Sequence, residues 1–135
     1  MRDANFQETE PASPTLLITR LVCSLAGVEQ DVFITPNTLV FKAYGKDHVT
    51  EQFTCSYGLN EAYRRDIIRE KLSIVGKDTA GNAGIVELAS HHFFIATLFL
   101  PQLSSKPGNP HPLITAFFKA AMTSRAFRCN REIKT

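Results

Sequence analysis

Phe93-Phe-Ile-Ala-Thr-Leu-Phe-Leu100 is apolar at every position except Thr97, on both alternating faces of an extended chain. A strand with one wet face alternates apolar and polar residues; one covered on both faces does not. The stretch therefore predicts a central strand in an α/β layer sandwich. Downstream, Gln102–Pro112 reads as a loop with three prolines. Pro112 suits the first turn of a helix. Leu113, Phe117 and Ala121, with Ile114, Phe118 and Met122, then make two adjacent i,i+4 rows, the pattern of an amphipathic helix.

Upstream, Leu72–Val75 and Gly84–Leu88 are strand-like and joined by a Gly/Asp/Asn-rich connector, which predicts a hairpin. Asn60 is placed to cap a helix over Glu61–Lys71, with Tyr63 and Ile67 on its apolar face. Thr15–Val22, Asp31–Thr35, Leu39–Ala43 and Val49–Tyr57 carry the β-branched and aromatic bias of strands. Pro36-Asn37 is turn chemistry between two of them. In the last, Val49, Phe53 and Cys55 are the inward candidates. The chain divides into a flexible N-terminal segment (1–14), one domain (15–124) and a basic C-terminal tail (125–135).

The 135 residues suffice for one domain with a real core, and a 44% hydrophobic, 21% charged composition is ordinary for a globular chain. A net charge of +2 is too balanced to argue for a nucleic-acid or membrane partner. The one local bias is Arg125, Arg128, Arg131 and Lys134 against Glu132, read as a frayed, solvated tail. Cys23, Cys55 and Cys129 are widely spaced with no CxxC pair, so neither a zinc site nor a disulfide framework is indicated and a reducing, cytoplasmic setting is expected. Cys23 and Cys55 are read as small buried hydrophobes. His91-His92 is read as a strand entry, because neighbours on an extended chain point to opposite faces and do not readily share an ion. His111 is read as a helix-start residue and His48 as part of a turn. No metal site, cofactor or phosphate-binding loop is expected.

Four segments carry a resemblance, the first of them, Val86–Leu113, through three matches. Val86-Glu-Leu-Ala-Ser-His-His-Phe-Phe94 is similar to "VELPDHPFF"; Leu98–Gln102 falls on "QFHPE"; and His111-Pro-Leu113 matches the opening of "HPLF". Leu17–Leu21 resembles "TMRLG", Lys42-Ala-Tyr-Gly45 matches "KAYG", and Ser56-Tyr-Gly-Leu-Asn60 falls on "RYEVN". In order and spacing, over residues 15–122, these resemble the glutamine amidotransferase domain of CTP synthases. Thr97-Leu-Phe-Leu-Pro-Gln102 and Tyr57–Asn60 look more like the free-standing proteins related to the C-terminal region of CTP synthases. The resemblance implies an α/β chain: the C-terminal half of a doubly wound, flavodoxin-like class I amidotransferase fold with an added hairpin, beginning just past the nucleophile elbow. A partner chain or a second copy would then complete the domain, and Phe93–Leu100 would otherwise expose an apolar edge.

Class I amidotransferases attack the glutamine carboxamide with a cysteine, using a histidine as general base and a glutamate to orient it. By the resemblance, that histidine falls on Leu100 and that glutamate on Gln102. Leucine carries no proton, and glutamine cannot stabilise an imidazolium by charge; loss of a general base costs about 10²–10⁴ in rate. No G-x-C-x-G elbow is present. The substrate-pocket candidates are Ser56 (for the family arginine), Tyr57, Gly58 (for the family glutamate) and Asn60. The implied function is a CTP-synthase-like pseudoenzyme related to pyrimidine biosynthesis, without glutaminase activity on its own, serving as a binding or assembly module. The alternative is a fragment of an active glutamine-hydrolysing CTP synthase whose nucleophile half lies elsewhere. A third reading, an unrelated α/β binding domain, does not account for four collinear segments.

Overall fold

In a computed structural model, residues 4–132 are described, with side chains to Ser124. Two sheets organise the chain. In the smaller, β2 (Leu16–Arg20) lies between β1 (Asn5–Phe6), parallel to it, and β5 (Tyr57–Leu59), antiparallel to it. The larger sheet contains β3 (Val28–Ile34), β4 (His48–Phe53), β6 (Leu72–Lys77), β7 (Ala83–Leu88) and β8 (Ile95–Thr97). Its order is β4-β3-β6-β7-β8, with every pairing antiparallel.

Period-two burial builds the core. Val32 and Ile34 of β3, Val49 and Phe53 of β4, Val75 of β6 and Ile85 of β7 turn their side chains to one cluster. Phe99, just past β8, meets Phe53 edge-on at a ring separation of 5.6 Å. Val40 and Leu113 join from two helices. The β6–β7 hairpin turns on Asp78, whose Oδ1 accepts from the main-chain N–H of Ala80 (2.9 Å) and Asn82 (2.8 Å). Asn60 caps a 3-10 turn (Glu61–Tyr63) that runs into α2 (Arg64–Arg69) and buries Ile67 against the sheet side.

Three expectations need correction. Leu39–Ala43 is not a strand: it lies in α1 (Leu39–Tyr44). Thr38 Oγ1 accepts from Phe41 N–H at 3.0 Å, and Gly45 closes the helix at φ 71°, where a side chain would be strained. Phe93–Leu100 is not a central strand either. Only Ile95–Thr97 pairs, and β8 is the last strand of its sheet. Pro101 opens a short helix, α3 (Pro101–Ser104), that runs into the stretch expected to be loop, Gln102–Pro112. Third, residues 4–14, expected to be poorly anchored, contribute β1; Phe6 lies edge-on to Tyr57 at 5.0 Å, and Gln7 Oε1 accepts from Arg20 N–H.

The last helix, α4, runs Pro112–Glu132. Its expected apolar rows are present, but only Leu113 is buried; Phe117, Phe118 and Met122 stand 53–74% exposed. The charged side chains of the basic tail (Arg125, Arg128, Arg131, Lys134) lie outside the described side chains. Among the described residues no helix is long and apolar enough to cross a membrane.

Candidate functional site

The segment 55–60 crosses from the larger sheet to the smaller one and carries all four pocket candidates. Ser56 Oγ shares a hydrogen bond of 2.7 Å with Ser24 Oγ, and its carbonyl accepts from Leu21 N–H. Tyr57 packs on Phe6. Asn60 is fully engaged in structure: Oδ1 accepts from Ala62 N–H (3.1 Å) while Nδ2 donates to Leu16 O (2.9 Å). Gly58 is buried, and a Cβ built on it would lie 2.6 Å from Leu21 Cδ2. Leu21 therefore occupies the space that a longer side chain at 58 would need.

Beside Gly58 opens a cleft of about 350 Å³, bounded by Leu21, Cys23, Gln30, Asp78 and Leu98 among others. Gln30 Oε1 is buried at its wall without a hydrogen-bond partner in the protein. Such an atom calls for a donor from water or ligand. Cys23 is exposed rather than buried as expected, since Val22–Ser24 pairs with no strand and only Leu25, beyond it, packs on the core. Cys55 is half-buried, with Sγ accepting from Tyr57 N–H at 3.3 Å. The cleft thus offers an amide, a thiol and a carboxylate already held by its own turn. None of the four histidines lines it.

Leu100 and Gln102 stand at the entry to α3, both exposed, and neither lines this cleft. Leu100 holds the N-cap position of α3 without a side-chain bond. The structure thus keeps the 100/102 pair apart from the cleft beside Gly58. His91 and His92 bond different partners: His91 Nδ1 engages the main chain of Phe93, and His92 Nε2 donates to Ala120 O on α4 at 3.0 Å. Among the described residues no group of three His, Cys, Asp or Glu side chains is placed to hold a metal ion.

One polar cluster escaped the sequence reading. His111 is buried, and its Nδ1 accepts from Leu113 N–H at 3.1 Å, which puts the ring proton on Nε2. Nε2–H then donates to Glu51 Oε1 at 2.9 Å, and Tyr44 OH donates to the same oxygen at 2.5 Å. Burial, then the bond to and the charge of Glu51, push the Tyr44 hydroxyl far above the usual tyrosine range. The cluster joins α1, β4 and the start of α4. Its three side chains do not line the cleft beside Gly58, and it ties helix to strand. A second buried carboxylate, Glu87, accepts from the N–H groups of Leu39 (3.0 Å) and Val40 (3.3 Å) at the start of α1. Strand parity was the available signal: Glu51 alternates in register with Val49 and Phe53, and Glu87 with Ile85.

The arrangement, two sheets with helices packed on the larger, is that of a class I glutamine amidotransferase fold. The glutaminase domain of Trypanosoma brucei CTP synthase, solved with bound acivicin, superposes with a TM-score of 0.84 at 26% identity, over 90% of this chain and 52% of that one. A Thermoplasma acidophilum protein assigned to GMP synthase shares the fold alone (TM-score 0.63, 9% identity, 82% of this chain and 51% of that one). The chain belongs to the CTP-synthase type of glutamine amidotransferase domain, about half of which it matches, and is similar to CTP synthases: that of Nostoc punctiforme is 34% identical and that of Synechococcus sp. (strain JA-2-3B'a(2-13)) 41% identical, each over 90% of this chain. The chain spans about a quarter of the length of these curated relatives, 24% in both cases. No family model matches it.

Proposed function

We propose that this chain is a glutaminase-fold module that does not hydrolyse glutamine by itself and serves in a cytoplasmic setting as a binding or assembly unit. The observation that carries the reading is Leu100. The position that matches the family's general base holds an aliphatic side chain, exposed at the entry to α3. The remaining histidines are committed elsewhere: His111 to Glu51, His92 to Ala120, His91 to Phe93, and His48 to Asp31 at 3.2 Å. Cys23, the exposed thiol among the described side chains, has no imidazole beside it in the cleft to take its proton. A coupled assay of glutamate release from glutamine by the purified chain tests this. No turnover above buffer is expected; turnover abolished by a thiol alkylator would refute it.

A second reading, a fragment of a glutamine-hydrolysing CTP synthase, is favoured by coverage, since the chain matches only 52% of the Trypanosoma glutaminase domain. Sequencing the genomic region immediately 5′ of the Met1 codon distinguishes the two. An in-frame G-x-C-x-G run there supports the fragment, and its absence supports the module.

A further inference from the structure

We infer that the cleft beside Gly58 is a binding site for a small protonated amine carried on an apolar body. This rests on the reading of the chain as a binding unit and names the class of ligand that its cleft takes. The larger sheet parts at this point. β3 and β6 pair only through Phe33 with Lys77 and Ile34 with Gly76. Past Lys77 the chain turns back at Asp78 toward β7, while β3 runs on to Val28 still paired with β4. Gln30 lies in that half-paired stretch, in register with the inward-facing Val32 and Ile34. Gln30 from one strand and Asp78 from the end of the other both border the cleft, whose volume of about 350 Å³ suits a small ligand.

These two residues set the polarity of the cleft. Gln30 Oε1 is buried and accepts no hydrogen bond among the described residues, so a donor brought by a ligand meets an open acceptor. Asp78 Oδ1 holds the main-chain N–H groups of Ala80 and Asn82, and Oδ2 accepts from Asn82 Nδ2 at 2.8 Å. All three of those partners are neutral, and no described Lys or Arg forms an ion pair with Asp78. Arg64 reaches the same turn at Gly81 O, but it is paired with Glu61 at 2.7 Å and does not border the cleft. No Lys, Arg or His borders it at all. Leu21, Leu25, Phe53 and Leu98 supply apolar wall. An unmatched carboxylate, an open acceptor and hydrocarbon together fit an ammonium head on an apolar body. A ligand carboxylate, that of glutamine included, would meet Asp78 with no cation to hold it. Ser56, at the position of the family arginine, is itself bonded to Ser24.

The test titrates the isotope-labelled full chain with phenethylamine at neutral pH and follows two sets of NMR signals: the side-chain amide of Gln30 and the backbone amides of Gly58 and Gly84. Saturable shifts below ~10 mM are expected for a probe of this size. 3-Phenylpropionate, with a similar body and the opposite charge, should bind at least about tenfold more weakly, and glutamine should shift none of these signals. Gln30→Leu removes the acceptor. Asp78→Asn removes the charge and keeps the oxygen that holds the turn. Each should weaken phenethylamine binding by at least about tenfold, read at Gly58 and Gly84, with the remaining amide signals reporting the fold of each variant. Absent shifts overturn the inference, as does an acid or glutamine that binds as tightly as the amine. An affinity that neither variant lowers also overturns it. Glutamate release from glutamine by the chain alone would instead refute the functional reading and leave the amine result standing.

Discussion

His111 Nε2 donates to Glu51 Oε1 at 2.9 Å, tying the first turn of α4 to the middle of β4 with both side chains buried. The same carboxylate oxygen accepts from Tyr44 at the end of α1, so one atom joins three elements. Removing the acceptor takes the carboxylate from both donors and leaves His111 Nε2–H and the Tyr44 hydroxyl only each other, at 3.2 Å. Glu51→Ala is expected to destabilise the chain by about 3 kcal/mol, read as a lower urea midpoint with an unchanged slope. Glu51→Gln, which keeps one carbonyl acceptor, should cost clearly less.

Tyr44 gives the alkaline limb of stability a specific source. Its hydroxyl is held protonated in the fold, chiefly by burial and further by Glu51, whereas in the unfolded chain it ionises near pH 10. Below that pH the residue is neutral in both states. Above it, the unfolded state releases a proton that the folded state keeps, so stability falls as pH rises, by at most about 1.4 kcal/mol per unit for this group. Between pH 9 and pH 11 the wild type should therefore lose more stability in urea titrations than Tyr44→Phe. Equal losses would remove Tyr44 as the cause.

Glu87 caps α1 from a strand 48 residues away in sequence. Two main-chain donors at a helix start depend on that carboxylate, which also meets the positive end of the helix. Glu87→Ala is expected to cost about 2 kcal/mol. Hydrogen exchange should show the loss of protection first at the amides of Leu39 and Val40.

Restoring the two motif residues should not restore chemistry. Leu100→His with Gln102→Glu supplies a base and its orienting carboxylate, but neither position lines the cleft that holds Cys23. The double variant is expected to release no glutamate from glutamine above buffer.

Thiol exposure separates the two cysteines whose side chains are described, Cys23 and Cys55. Cys23 is exposed, and Cys55 is half-buried with its sulfur bonded to Tyr57 N–H. Peptide mapping after a limiting pulse of iodoacetamide should find Cys23 labelled well ahead of Cys55. The reverse order would contradict the burial described above.

Much of the scaffold was legible because it is written in local chemistry. Asn60 caps its helical turn, Asp78 and Gly81 turn the hairpin, and Pro36-Asn37 turn the chain ahead of α1; each works through groups a few residues apart. Leu39–Ala43 misled because five residues with Leu, Val, Phe and Ala among them fit a short strand as well as a short helix. The choice was made by Thr38, Gly45 and a carboxylate from β7. Candidate-site residues were less legible. Ser56 and Asn60 proved to be held by neighbouring backbone and side chains, and the cleft wall drew on Gln30 and Leu21, which no motif marks.

By itself the sequence determined the β6–β7 hairpin and its turn, the Asn60 cap, the absence of a nucleophile elbow, and a Leu100/Gln102 pair that carries no acid–base chemistry. Those properties belong to residue identity and need no fold to be read. Only the tertiary structure decided that Phe93–Leu100 ends its sheet instead of sitting inside it, that the α4 stripe lies bare, and that Glu51 serves His111 and Tyr44 at once. Such features depend on which distant segments come together, and an apolar run looks the same in sequence whether its second neighbour is present or not.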